Sequence, residues 1–355
     1  MFIIENTGLA IGVCLLAMLC WGSWSNAQKV VTGQQVPVSL FYRDYVLGIL
    51  LWAIVAAFTL GSFGRFGRSF LTDLHQADWS KLGLALAAGV VFNLGNQLLV
   101  AGIQAAGLAI AMPVGTGIAL ALGLVVNYLA EPDGNLPLLA VGGVVVLASI
   151  ACSALAYRAK EQHADKSEEG KADQASDDQK EKKDSPQKGG ALRGLLIAGV
   201  GGIVNGFFYR LVTASLAEDF ANPAPGQLTP YTALVVFALG ITVSNPLFTL
   251  LLRHFADPPD ARMRYGELSV HQHGIGILGG LGWGLGMLAL LLASIEAGAA
   301  ISFGLSQGAT IVGVLWGLFA WHEFVGAPPV ANRWLWAMGA SYVVGVGLIV
   351  AARLL

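Results

Sequence analysis

Residues 160–190 read KEQHADKSEEGKADQASDDQKEKKDSPQKGG, and the organisation of the whole chain turns on this stretch. Between Arg158 and Gly190 stand 17 of the 42 Asp, Glu, Lys and Arg side chains, eight positive and nine negative, with almost nothing apolar after Tyr157. That is the composition of a disordered linker. The other 322 residues carry only 25 charges, and the 355-residue chain is 55% hydrophobic. Its mean hydropathy is +0.66, and its 12% charged content is half the roughly 25% of a soluble protein. A water-soluble enzyme is excluded on this ground. A net charge of −2 without clustered Lys and Arg gives no nucleic-acid signature. Cys14, Cys20 and Cys152 stand singly in apolar stretches, as small buried hydrophobes rather than disulfide or metal ligands.

Outward from the linker, apolar runs of about 20 residues, the length that crosses a bilayer core, fall five on each side. They are 8–31, 39–60, 81–104, 107–129 and 136–157, then 191–217, 229–253, 271–294, 297–320 and 332–353. The reading is an all-α multi-pass membrane protein: residues 1–157 form one five-helix repeat, 158–190 a disordered cytoplasmic linker, and 191–355 a second repeat. The first run has only Glu5 before it and no cleavage site, so it reads as a retained signal-anchor helix. Very short links at 105–107 and 295–298 predict two tight helical hairpins.

A shift of 191 residues carries Gly83, Gly89, Gly95, Gly107 and Gly117 onto Gly274, Gly280, Gly286, Gly298 and Gly308. Five matches among the eight glycines between Gly83 and Gly123, against about two expected by chance, indicate a diverged repeat. An odd number of helices per copy makes the second copy enter the membrane from the opposite side. Such inverted repeats give many secondary transporters their alternating access. Both termini outside puts fifteen of the twenty Lys and Arg residues on the linker's side, the cytoplasmic one by the positive-inside rule.

Polar residues inside the runs nominate a substrate site. Trp21, Trp24, Ser25 and Gln28 share one face of the first helix, and Asn93, Asn96, Gln97 and Gln104 one face of the third. Ser302, Ser306 and Thr310 recur every four residues in the ninth, with Gln307 beside them, while Asn205 and Tyr209 share a face of the sixth. A single Ser or Thr is accounted for by helix-to-helix hydrogen bonding. Three amides at Asn93, Asn96 and Gln97 exceed what one helix crossing needs, and they suit a solute with several carbonyl, amide or hydroxyl groups. Pro113 interrupts the fourth helix beside Gly115, Thr116 and Gly117, with Gly304 at the equivalent point of the ninth. Paired breaks of this kind expose backbone groups at a midplane site, although a packing kink has the same signature. Gly276, Gly280 and Gly284 form overlapping GxxxG patterns that bring backbones close.

Ionisable residues in or beside the hydrocarbon are scarce, and each is a functional candidate. Asp44, next to Arg43, opens the second helix and is the candidate for proton exchange, with an interfacial carboxylate on the helix dipole as the plain alternative. Glu296 in the turn before the ninth helix is the second candidate. Arg210 can snorkel, and Glu131 and Glu323, ending the fourth and ninth helices, read as anchors. No GxSxG, HExxH or GxxxxGK[ST] occurs, so neither hydrolysis nor ATP-driven transport has support. No metal or cofactor is expected.

The opening MFIIENTGLAIGVCLLAMLCWGSW, Tyr42-Arg43-Asp44-Tyr45, Thr59-Leu60-Gly61, Asp78-Trp79, Gly89 through Leu94-Gly95-Asn96, and Asn127-Tyr128-Leu129 resemble the ureide permeases of the drug/metabolite transporter superfamily. The resemblance implies ten helices with a long cytoplasmic loop between the fifth and sixth. It also implies proton-coupled import of allantoin, uracil or oxidised purines. Trp21-Gly22-Ser23-Trp24 departs from the plant-type pattern. Relatives within the superfamily include glucose/ribose porters and rhamnose/proton symporters, so a monosaccharide is the alternative substrate. Indoles at Trp21, Trp24, Trp283 and Trp316 suit either, since they stack on a flat heterocycle or a sugar face. A non-transporting membrane scaffold is the third reading, and it leaves the repeat without a purpose. The substrate site expected from all this is Trp21, Ser25, Asn93, Asn96, Gln97, Thr116, Asn205, Tyr209, Trp283, Ser306, Gln307 and Thr310, in an inner or plasma membrane.

Overall fold

A computed structural model describes residues 1–106, 108–172, 188–256 and 263–355. Twelve helices occur among them: α1 Thr7–Thr32, α2 Val38–Phe58, α3 Phe70–Gln76, α4 Trp79–Ala106, α5 Leu108–Ala130, α6 Leu136–Ala172, α7 Lys188–Thr213, α8 Pro230–Ala256, α9 Val270–Ala297, α10 Ala299–Ser306, α11 Ala309–Phe319 and α12 Pro329–Leu354. Ten helical stretches are long and apolar enough to cross a membrane, and each coincides with one of the ten apolar runs. The chain is an all-α multi-pass membrane protein.

Local chemistry sets the ends of these helices. The Asn6 side chain accepts from the Leu9 N–H at 3.0 Å to cap α1, and Ser269 and Gln272 close a reciprocal cap on α9. Pro37 and Pro328 precede α2 and α12, where a missing N–H costs nothing. The link from α9 to α10 is Gly298 alone, at φ +82°. A side chain is strained in that conformation, which is why a one-residue hairpin needs glycine there. At the other expected hairpin α4 ends at Ala106 and α5 starts at Leu108.

Two expectations are corrected. Residues 158–172 of the charged stretch continue α6 as helix, because Lys, Glu, Gln and Ala are good helix formers and need no apolar partner to extend an existing helix; 173–187 lie outside the described residues. Pro113 does not end α5, since as its sixth residue it removes only one hydrogen bond of the ladder. The ninth run does break, but at Gln307–Gly308 rather than at Gly304. There the Gly308 N–H turns to the Leu305 carbonyl (3.2 Å) instead of that of Gly304. A Cβ on Gly308 would lie 1.7 Å from the Tyr342 hydroxyl and 2.6 Å from Met18 Sδ, so a larger residue at this bend would displace both side chains.

Helix packing repeats between the halves. α4 packs on α7 and α8 as α9 packs on α1 and α2; α5 meets α7 as α11 meets α1; α2 meets α8, and α6 meets α12. Exchange of the two halves leaves these particular contacts unchanged. The repeat glycines sit at the same crossings. Gly280 with Gly48 lets α9 touch α2, where a Cβ on Gly280 would meet the Tyr45 carbonyl at 2.0 Å; Gly89 with Gly240 lets α4 touch α8, where a Cβ on Gly89 would meet the Phe237 carbonyl at 2.0 Å. The contacts Lys29–Glu323 and Gln34–Gln272 mark one end of the bundle, here the linker end. Thr7–Glu296 and Arg353–Asp133 mark the other, the terminal end.

Candidate functional site

A cavity of about 170 Å³ lies inside the bundle among α1, α4, α5, α7, α9 and the α10–α11 bend. It brings together Trp21, Ser25, Asn96, Thr116, Asn205, Trp283, Ser306, Gln307 and Thr310, nine of the twelve residues expected from sequence. Repeat glycines admit two of them. A Cβ on Gly95 would lie 2.5 Å from Asn205 Oδ1, and one on Gly286 would lie 2.7 Å from the Trp21 ring. Trp21 and Trp283 stack at 5.2 Å with planes 5° apart, and the Trp21 indole N–H donates to the Trp283 carbonyl at 3.2 Å. Phe92 packs on Trp283 at 4.4 Å, and Phe208 meets Phe92 at 5.2 Å and Phe303 at 6.3 Å. Phe92, Phe208 and Phe303 were missed in the sequence, where nothing distinguishes a cavity-lining phenylalanine from a core one. The rings close the terminal side of the cavity, while Ser25 is exposed and the cavity extends along Gly313 and Met112 toward the linker end.

Hydrogen bonds orient the polar lining. Asn96 Nδ2 donates to the Tyr42 hydroxyl at 2.8 Å, leaving its carbonyl oxygen unspent by that bond. The Thr116 hydroxyl donates to the Met112 carbonyl (2.8 Å) and that of Ser306 to the Phe303 carbonyl (2.7 Å), so both keep oxygen lone pairs. Asn205 Oδ1 is buried without a hydrogen-bond partner. Every lining side chain is uncharged among the described residues.

Asn93, Gln97 and Tyr209 stand elsewhere. Asn93 Nδ2 donates to the Ile241 carbonyl (3.2 Å) and Ser244 Oγ (2.9 Å), and Gln97 Nε2 donates to Asn93 Oδ1 (3.0 Å) and Asn245 Oδ1 (3.1 Å). Both amides are buried and join α4 to α8. Tyr209 is fully buried, with its hydroxyl 3.4 Å from the Leu290 carbonyl. Asn93 and Gln97 hold α4 and α8 together beside the cavity, and Tyr209 packs between α7 and α9 on its terminal side.

Asp44 lies at the linker end, 1% exposed. Its Oδ1 accepts from the Tyr265 hydroxyl, and its Oδ2 lies 2.8 Å from His273 Nδ1. Burial and then the Asp44 carboxylate push the Tyr265 phenol up to about 12, so Tyr265 stays a donor at neutral pH. Gly276, one turn beyond His273, is where a Cβ would strike Asp44 Cβ at 2.6 Å. Tyr42, half a turn before Asp44, holds the cavity amide Asn96, and Tyr45 packs on Trp24 at 4.8 Å. α2 thus carries the carboxylate and the cavity contacts on adjacent turns. His273, 229 positions from Asp44, was missed because no local pattern announces a partner so distant.

Glu296 is at the terminal end, half-buried, where its carboxylate meets the Thr7 hydroxyl at 3.5 Å. Glu131 pairs with Arg210 at 2.6 Å, and Glu323 pairs with Lys29 and accepts from Tyr157 (3.1 Å). The latter two anchor helix ends.

A sequence profile described as ureide permease matches residues 41–191. Ureide permease 1 of Arabidopsis thaliana is 32% identical over 135 residues, which are 38% of this chain and 35% of that protein. Ureide permease 2 of the same plant is 30% identical over 138 residues, 38% and 35% of the two chains. Probable ureide permease A3 of Vigna unguiculata is 27% identical over 137 residues, 38% and 36%. The matched stretch spans about a third of the length of these curated relatives. A crystal structure is alike over 98% of this chain and 99% of its own, with a TM-score of 0.62 and 14% identity, a likeness of fold alone. Residues 41–191, which carry Asp44, Asn96 and Thr116, are the part of this chain that is similar to the ureide permeases.

Proposed function

We propose that the protein is a permease, not an enzyme, importing a small neutral heterocycle of the ureide or nucleobase type, such as allantoin, uracil or an oxidised purine. One observation carries this reading: an internal cavity combines a stacked indole pair with amide and hydroxyl groups and holds no charged side chain among the described residues. A charged solute would enter it uncompensated. Lone pairs on Asn96, Thr116, Asn205 and Ser306 suit the N–H groups of a cyclic urea or imide, and an indole face suits its flat ring. The relatedness over residues 41–191 points the same way. In this reading the two five-helix halves rock about the cavity, both termini lie outside, and the linker end faces the cytoplasm. Asp44, paired with His273, exchanges the coupling proton.

Two neighbouring amides separate binding from packing. Asn96→Ala is expected to weaken allantoin binding about tenfold, the loss of one hydrogen bond in a dry site. Gln97→Ala is expected to lower stability by about 1–2 kcal/mol, through the lost bridge to Asn245, with a smaller effect on binding. Isothermal titration with allantoin and thermal unfolding of the purified variants check both. Parent-like affinity in Asn96→Ala would remove the cavity from the substrate path.

A further inference from the structure

Beyond the aromatic rings, on the terminal side, lies a second chamber of about 230 Å³, lined by Glu131, Thr213, Glu218, Ser294 and Ala299 among others. Three helices, α7, α9 and α10, line both chambers. On α10, Phe303 and Ser306 face the first chamber and Ala299 the second, so four residues, about 6 Å of helix, separate them. On α7, Phe208 faces the first and Thr213 the second. Between the chambers sits a plug of fully buried side chains: Phe303, Tyr209, Ser302 and Cys14. The Tyr209 and Phe303 rings stack at 5.5 Å, and Cys14 and Ser302 lie against Tyr209. Phe303 is admitted by Gly123, where a Cβ would come within 2.2 Å of the ring.

A plug that served only to fill space would be apolar throughout. This one encloses the Ser302 and Tyr209 hydroxyls, and Asn205 Oδ1, buried without a hydrogen-bond partner, borders it. The Tyr209 hydroxyl has a long bond of 3.4 Å to Leu290. A buried polar atom without a partner carries the full penalty of its lost hydration, and a native fold keeps one where it serves a purpose. A polar solute passing between the chambers would meet these polar groups in turn.

We infer that Phe303 and Tyr209 form the gate between the cavity and the terminal-side chamber, with Asn205, Tyr209 and Ser302 as successive polar contacts for the solute when the gate opens. The inference rests on the transport reading of the cavity. It assigns the structure to a state open toward the linker end and closed at this plug, and it makes the second chamber the outer entrance.

Cys14 reports on the gate directly. In the full chain carrying Cys20→Ala and Cys152→Ala, reconstituted in liposomes, a membrane-impermeant methanethiosulfonate on the terminal side should label Cys14 slowly. Phe303→Ala should speed that labelling at least about fivefold without any solute, since exposure of a buried thiol tracks the opened fraction. It should also let accumulated allantoin leak toward equilibrium. Phe303→Leu, which removes less volume, carries the same expectation if Phe303→Ala is not recovered folded. Allantoin itself should accelerate labelling in the parent by exchanging it between states. Labelling that stays slow in the Phe303 variant overturns the gate, and so does allantoin transport that never alters Cys14 reactivity. A parent that fails to transport allantoin counts against the ureide reading alone, because the solute-free Phe303 comparison decides the gate by itself.

Discussion

Replacing Asp44 by asparagine is expected to reduce accumulation of substrate against a gradient by at least about tenfold more than it reduces exchange of labelled for unlabelled substrate. The carboxylate is 1% exposed and held by Tyr265 and by His273 at 2.8 Å. Asparagine keeps the shape and the Tyr265 hydrogen bond but removes the group that can bind and release a proton. Exchange needs the conformational change and the cavity, whereas accumulation also needs the coupling ion, so the ratio of the two isolates coupling from general damage. Arg43 flanks the pair, its guanidinium 5.6 Å over the Tyr265 ring, and Arg264, Glu267 and His271, next along the chain to Tyr265 and His273, are exposed. Uptake into proteoliposomes with an imposed pH gradient measures accumulation, and counterflow measures exchange. Concentrative, pH-dependent uptake that survives in Asp44→Asn moves the coupling role to Glu296.

The largest loss of stability is expected at a site with no part in transport. Arg68 donates from Nε to Asp73 Oδ1 at 2.9 Å, from Nη1 to the Pro223 carbonyl at 2.5 Å and from Nη2 to the Gln227 carbonyl at 2.8 Å. Asp73 is fully buried, and its other oxygen accepts from the Thr229 N–H at 2.8 Å. Together they tie the α2–α4 connection to the α7–α8 connection. Arg68→Ala leaves a buried carboxylate without its cation, a change that costs about 3–5 kcal/mol. Chemical or thermal unfolding of purified protein should show it as a lowered midpoint. A loss under about 1 kcal/mol would place the pair in the class of exposed ion pairs.

What the sequence revealed and what it hid follow from the range of the interactions involved. Ten membrane helices were legible because a bilayer span needs a continuous apolar run, a property of consecutive residues. The repeat glycines were legible as a spacing, and Gly89 and Gly280 prove to occupy matching crossings. The partner of each polar face was not legible. Asn93, Asn96 and Gln97 lie within five residues, yet Ser244 and Asn245 of α8 engage the first and third while Asn96 turns to Tyr42 and the cavity. Which helix meets which face is decided by tertiary packing, and α8 lies about 150 positions along the chain. The bend at Gln307–Gly308 was displaced from Gly304 for the same reason, since Tyr342 on α12 and Met18 on α1 claim the space at Gly308. The helical extension of α6 was lost to composition. Charge density argued for disorder, while residue-by-residue helix propensity argued for continuation, and the residues at 158–172 follow the latter.

Direct competition tests whether the cavity around Trp21, Asn96 and Asn205 takes a neutral ureide or nucleobase-like solute. Proteoliposomes bearing the full chain would be loaded with unlabelled solute and assayed for counterflow of labelled allantoin, with uracil, xanthine, rhamnose, ribose and glucose as competitors. Such a cavity should give counterflow of allantoin, competition by uracil or xanthine, and a loss of about tenfold in apparent affinity on Asn96→Ala. Counterflow of a sugar, with none of allantoin and no competition by uracil or xanthine, would contradict that reading.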